Sequence, residues 1–260
     1  MTCTVPIPIY TTELSDDEFL SLRQTHRVLG RHRIVYVTPH GLDLRTLAAR
    51  LGLDTVRQST FGREYFASVR GYNRLMTSKD FYRAFGTDYI LICQTDAWVF
   101  TDELESWCEK GYDYIGAPWL GSERQLGSLY RPVLCLRRAW ARLTGLGYGA
   151  RCKWRVGNGG LSLRRVQTFA NLCTEHARTI EKLEFRRIAD NEDVFWCVRM
   201  RKHLKTPEWG EAMRFAVEFR PEWALRCLHR LPFGCHGWNK QPYSAFWRPV
   251  IEEYISANPF

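Results

Sequence analysis

The chain has 260 residues, 45% of them hydrophobic and 14% aromatic, enough to build one large core or two small ones and to exclude a disordered chain. Its 37 Lys and Arg against 28 Asp and Glu leave a net charge of +9, which suits nucleic acid, anionic lipid or phosphorylated ligands without choosing among them. No apolar run is long enough to span a bilayer, and the start MTCTVPIPIY lacks the basic and apolar stretches of a signal peptide, so a cytoplasmic protein is expected.

In chain order, VPIPIY (5–10) reads as a first buried strand. Ser15 to Glu18 form a capping box, followed by Phe19, Leu22, His26 and Leu29 at helical spacing as far as Gly30. Residues 33–38 read as a second strand, 43–51 as a short helix and 55–61 as a third strand. Residues 63–85 are mainly helical, with breaks expected near Gly71 and at Thr77–Ser78. An apolar strand, 89–93, follows. Asp102 is the expected cap of a helix ending at Gly111, and a strand over 113–117 is ended by Pro118. Alternation of strand and helix predicts a mostly parallel sheet covered by helices, and such sheets bind ligands beyond the carboxyl ends of their strands.

The second half is less regular. Residues 121–155 mix Arg131, Arg137, Arg138, Arg142, Arg151, Lys153 and Arg155 with Tyr130, Trp140, Tyr148 and Trp154. Then come VGNGGLSLRR (156–165), a helix over about 166–178, DNEDVFWCVRM (190–200), a Pro-started helix after Thr206, PFGCHGW (232–238) and a last amphipathic helix over 243–256. Nine scattered cysteines without a CxxC pair, most of them in apolar runs (Cys93, Cys135, Cys173, Cys197, Cys227), read as reduced core thiols.

Four places carry chemistry. Asp96 ends the strand 89–93 in ILICQTDAWVF; it is either a turn acid or a carboxylate for a hard divalent cation. GNGG (157–160) is a common kind of loop, but its glycines permit close backbone approach and Asn158 both donates and accepts. Asn191-Glu192-Asp193 suits either the first turn of a helix or general-base work. His236 is either a packed core histidine or a metal ligand.

As an ordered set, QTDAWVF, GYDYIGAPW (111–119), VGNGGLSLR (156–164), NED (191–193) and PFGCHGW resemble a glycosyltransferase of the GT-A fold. More narrowly, the chain looks like a bacterial family of glycosyltransferase-like proteins met near surface-polysaccharide genes. The resemblance covers residues 5–240 and implies a single α/β domain with a Rossmann-like, mostly parallel central sheet. In it, residues 1–118 would form a nucleotide-binding half and 119–260 an acceptor half. It implies transfer of a sugar from a nucleotide-diphosphate donor to a glycan or lipid-linked acceptor.

Gln94-Thr95-Asp96 then stands at the family's Asp-x-Asp motif with its first acid replaced. Asp96 and His236 would hold manganese or magnesium. Asp193 would be the base of an inverting displacement, with Glu192 a sugar or acceptor contact. Pro8 and Tyr10 would flank the nucleotide, and Gln94, Trp119, Asn158, Gly159 and Gly160 the donor and acceptor. Arg74 and Lys79 are further candidates for the diphosphate. Inversion and retention both stand, because a sequence carries no distances.

Two other readings accompany this one. A nucleic-acid binder fits the charge, but the basic residues are spread through the chain and no nucleic-acid motif occurs, so no nucleic-acid partner is expected. A GT-A scaffold that only binds fits Gln94 but not the joint presence of Asp96, Glu192, Asp193 and His236. Residues 130–155 are expected either to touch an anionic membrane at its inner face or to be a solvated basic face or the acceptor cleft.

Overall fold

In the computed structural model, residues 1–122, 130–144 and 148–260 are described. The elements run β1 (Cys3–Pro8), α1 (Asp16–Leu29), β2 (Arg33–Pro39), α2 (Arg45–Arg50), β3 (Gln58–Phe61), α3 (Val69–Met76), α4 (Lys79–Arg83), β4 (Tyr89–Cys93), β5 (Ala97–Val99), α5 (Leu104–Glu109) and β6 (Tyr114–Gly116). They continue with α6 (Tyr130–Thr144), α7 (Tyr148–Cys152), β7 (Leu161–Arg165), α8 (Val166–Glu175), α9 (Ala177–Glu181) and α10, a single turn (Glu192–Val194). The chain closes with α11 (Trp209–Phe215), β8 (Ala216–Val217), α12 (Pro221–Leu228), β9 (Gly234–His236) and α13 (Ser244–Ala257).

The main sheet has the order β3-β2-β1-β4-β7-β6. Strands β3, β2, β1 and β4 are parallel, and β7 runs against both neighbours. Helices on both faces explain why β4 is buried at all five positions and reads as an unbroken apolar run. A second sheet, β5-β9-β8, follows directly from the end of β4, and a second core cluster holds Trp98, Phe100, Trp238 and Trp247.

The capping box is formed: Ser15 Oγ accepts from Glu18 N at 3.3 Å, and Ser15 N donates to Glu18 Oε2 at 3.0 Å. Asp102, by contrast, is not a cap. Glu103 holds the N-cap position of α5 without a side-chain cap bond, and the Asp102 carboxylate pairs with Arg31 and with His32 at 2.8 Å. Gly71 does not interrupt its helix. It lies inside α3, where a Cβ would sit 2.2 Å from the Glu64 carbonyl oxygen, so the glycine permits packing. Cys135 and Cys227 are exposed, while Cys93, Cys173 and Cys197 are core thiols as expected.

Candidate functional site

The sharpest feature follows from strand pairing. After β4 the chain turns tightly, with Ala97 N donating to Gln94 O at 2.9 Å. Antiparallel pairing of β5 with β9 then sets Ala97 opposite His236, and Gly237 N donates to Asp96 O at 2.9 Å. Residues far apart in sequence thus converge at the end of β4, where a sheet of this kind binds its ligands.

A cavity of about 760 Å³ opens at this point. Pro8, Tyr10, Gln94, Asp96, Asn158, Gly159, Gly160, Glu192, Asp193 and His236 all line it, so most of the expected site residues come together. Arg74, Lys79 and Trp119 do not. On α3 it is Asn73 that faces the cavity, while Arg74, the next residue round the helix, is exposed. Trp119 lies against Gly157, where a Cβ would sit 2.1 Å from its ring, and supports the glycine loop from behind. Tyr72, Asn73, Glu218 and Lys240 line the cavity without having been singled out in the sequence, and so does Glu18, which was singled out only for its helix cap.

His236 Nε2 lies 3.1 Å from Gln94 Oε1 and 3.2 Å from Asp96 Oδ1. Its other ring nitrogen, Nδ1, faces Glu218 Oε1 at 3.6 Å, and Lys240 Nζ sits 2.5 Å from Asp96 Oδ2. Burial alone would raise the Asp96 pKa, but His236 and Lys240 outweigh it and hold the carboxyl well below the usual range. Burial would lower His236, but Asp96 and Glu218 outweigh it and raise the imidazole to about 10. Without a metal the cluster is therefore a set of ion pairs.

The same donors fit a divalent cation. Adjacent ligands of an octahedral ion with bonds of about 2.1 Å lie about 3.0 Å apart, close to the two separations seen here. A carboxylate behind the imidazole is also the usual support of a metal-bound histidine. Among the described residues no group of three His, Cys, Asp or Glu has metal-site spacing. Here the third donor is an amide oxygen, that of Gln94.

The glycines also leave room for neighbouring side chains of the site. A Cβ on Gly160 would lie 1.9 Å from His236 Nε2, and one on Gly159 would lie 2.2 Å from Glu192 Oε1. Their bare Cα atoms make room for these two side chains. Asn158, at φ 62°, closes the loop by accepting from Gly160 N at 3.0 Å.

Glu192 is anchored. Arg164 on β7, wholly buried, donates to both of its carboxylate oxygens at 3.1 Å and also to Ser162 Oγ and Tyr82 OH. Glu192 N donates to Asn73 Oδ1 at 3.0 Å. Asp193, the next residue, has no such cation bonded to it among the described residues. Burial first, then the neighbouring Glu192 charge, push its pKa up to about 7. A carboxyl tuned to neutrality in a cavity can take a proton there.

The fold is that of GT-A glycosyltransferases. It is similar to the galactosyltransferase LgtC in complex with donor and acceptor sugar analogs (TM-score 0.57, 12% identity, covering 98% of this chain and 95% of that one). It is similar also to mouse xyloside xylosyltransferase 1 in its apo form (0.53, 11%, 93% and 99%). A third is core-mannan synthase A from Aspergillus fumigatus in a Mn/GDP form (0.50, 8%, 76% and 70%). No curated protein matches by sequence. Residues 55–236 match the family described as "Protein of unknown function (DUF5672)", and the chain belongs to that family.

Proposed function

We propose that the protein transfers a sugar from a nucleotide-diphosphate donor to an acceptor hydroxyl. The observation that carries this is the pairing, in one cavity, of a cation cluster at the end of β4 with a carboxyl poised near neutrality, Asp193. The fold, shared with known nucleotide-sugar transferases, supports it.

Gln94, Asp96 and His236 would hold manganese or magnesium, and the Mn/GDP form of core-mannan synthase A is consistent with that. When bound, the ion supplies positive charge that neutralises a leaving diphosphate. Its place matters because, among the described residues, Glu18, Asp96, Glu192, Asp193 and Glu218 line the cavity against His236 and Lys240 alone, and a bare diphosphate would be repelled. Lys240 Nζ is placed to contact a diphosphate oxygen. Glu218 Oε2 and Asn239 Oδ1, buried acceptors without a hydrogen-bond partner among the described residues, suit hydroxyls of the sugar.

Asp193 takes the acceptor proton as the acceptor oxygen bonds to the anomeric carbon. The bond from that carbon to the phosphate oxygen breaks, and the nucleoside diphosphate leaves. One displacement from the opposite face inverts the anomeric centre, by the logic of inverting glycosidases. Glu192, clamped by Arg164, keeps Asp193 in register. We further propose residues 1–118 as the nucleotide half and 119–260 as the acceptor half, and a role in bacterial surface polysaccharide synthesis in the cytoplasm.

The test is a thermal-shift series with UDP, GDP, CMP, dTDP and their sugars, each with and without manganese. The expected result is a metal-dependent rise with one nucleotide, lost in Asp96→Ala. No shift with any nucleotide sinks the reading.

A further inference from the structure

A second cavity, of about 340 Å³, lies outside this site and is walled by Arg151, Arg155, Val198, Arg199, Arg201 and Lys202. Five of these six side chains are cationic. Arg199 is committed to Asp190 at 2.7 Å. Arg201 and Lys202, on the turn Arg201–His203, are exposed, and no carboxylate among the described residues pairs with them. Guanidinium groups match phosphate oxygens in pairs, and like charges gathered round one space favour an anion within it.

The cavity adjoins the proposed chemistry. Cys152, Val194 and Val198 form a small buried apolar cluster, which joins Val198 of the cavity wall to the residue that follows Asp193. Burial pushes the Cys152 thiol up to about 11, with Asp193 raising it further and Arg155 and Arg151 opposing, so all three lie within electrostatic reach of one sulfur.

Helix α6 supplies an independent observation. Val133, Leu136, Trp140 and Leu143 follow the spacing i, i+3, i+7, i+10 and form one stripe, yet they are 42, 71, 54 and 87% exposed. Exposed Arg137 adjoins the stripe. An apolar face with a basic flank is the pattern of a helix lying in an anionic bilayer surface. Arg138 ties α6 to the cavity wall, donating to Ala150 O at 3.2 Å and to Lys153 O at 2.5 Å.

We propose that the basic cavity binds the phosphate group of a membrane-borne acceptor, with α6 seated on the anionic membrane that presents it. This rests on the sugar-transfer reading and names the class of acceptor. Arg201 and Lys202 grip the phosphate. The hydroxyl to be glycosylated then extends past Val194 towards Asp193.

The test is co-sedimentation of the full chain with phosphatidylcholine vesicles, with and without phosphatidic acid. Binding of soluble pyrophosphate is measured in parallel. Wild type is expected on the phosphatidic-acid vesicles only. Arg201→Ala/Lys202→Ala is expected to weaken both vesicle and pyrophosphate binding by about tenfold or more. Leu136→Glu/Leu143→Glu is expected to lose the vesicles and keep pyrophosphate within about twofold. All four side chains are exposed, so both variants fold.

Equal vesicle binding by wild type and Arg201→Ala/Lys202→Ala overturns the cavity. Pyrophosphate binding with no vesicle retention overturns the membrane. Tighter binding of a single-stranded oligonucleotide than of vesicles, lost in the same variant, overturns both in favour of nucleic acid. If the vesicle results hold but no nucleoside diphosphate shifts the melting temperature of the same sample, the transferase reading fails while the phosphate site stands.

Discussion

Replacing Asp193 by Asn separates the proposed chemical role of this carboxylate from what it costs the fold. Burial and the Glu192 charge raise its pKa from 3.8 to about 7. Between these values the native chain holds a proton that the unfolded chain has released. Stability therefore falls as pH rises through this window, and the full cost is present above it. At about 1.4 kcal/mol for each tenfold change in proton affinity, the ceiling is about 4 kcal/mol. Water in the cavity screens the carboxylate and brings the expected cost to about 2 kcal/mol. Asn is neutral throughout. Urea denaturation should find Asp193→Asn about 2 kcal/mol more stable than wild type at about pH 8.5, and equal to it at about pH 4. Sugar transfer should fall about 10²- to 10⁴-fold while nucleotide binding persists. A variant whose advantage does not grow with pH, or whose turnover stays within about tenfold of wild type, refutes the reasoning.

Arg164→Leu leaves the Glu192 carboxylate buried without its cation, which should cost about 3–5 kcal/mol in urea denaturation; a loss under about 1 kcal/mol contradicts the anchor. Gln94→Asp adds a second acid to the cation cluster and should tighten manganese binding at least about tenfold by calorimetry; unchanged affinity removes Gln94 from the site. Because Asp96 and Glu218 hold a proton on His236 up to about pH 10, a metal must displace it. Manganese affinity should therefore rise with pH below that value, with proton release seen as a buffer-dependent heat.

Much of the frame was legible because it is written locally. The strands β1 to β4, the Ser15 capping box and the acids and glycines at the site all announce themselves within a few residues of sequence. What stayed hidden depends on partners distant in the chain. The β7 strand reads LSLRR whether it runs with or against β4, and Arg164 within it looks like a surface cation until Glu192 and Tyr82 close round it. Asn73 and Arg74 are neighbours, and only the docking of α3 decides which faces the cavity. The glycines of GNGG signalled a close approach, and Glu192 and His236 are among the groups that approach them. Lys240 follows His236 by four residues in HGWNK, a spacing that was available as a signal. The basic tract 130–155 is described only in part, since the side chains of Arg131, Arg142 and Tyr148 lie outside the described residues.

The β5–β9 ladder sets Ala97 opposite His236, and beside it the Gln94 side chain meets His236 across 142 residues of chain. During synthesis the first half can leave the ribosome and begin to fold long before residue 236 is made. Until β9 emerges, Asp96 is an acid at an open strand end with neither imidazole nor ammonium beside it. The proposed donor site is therefore incomplete until β9 has paired with β5, and ligand binding reports that this ladder has closed.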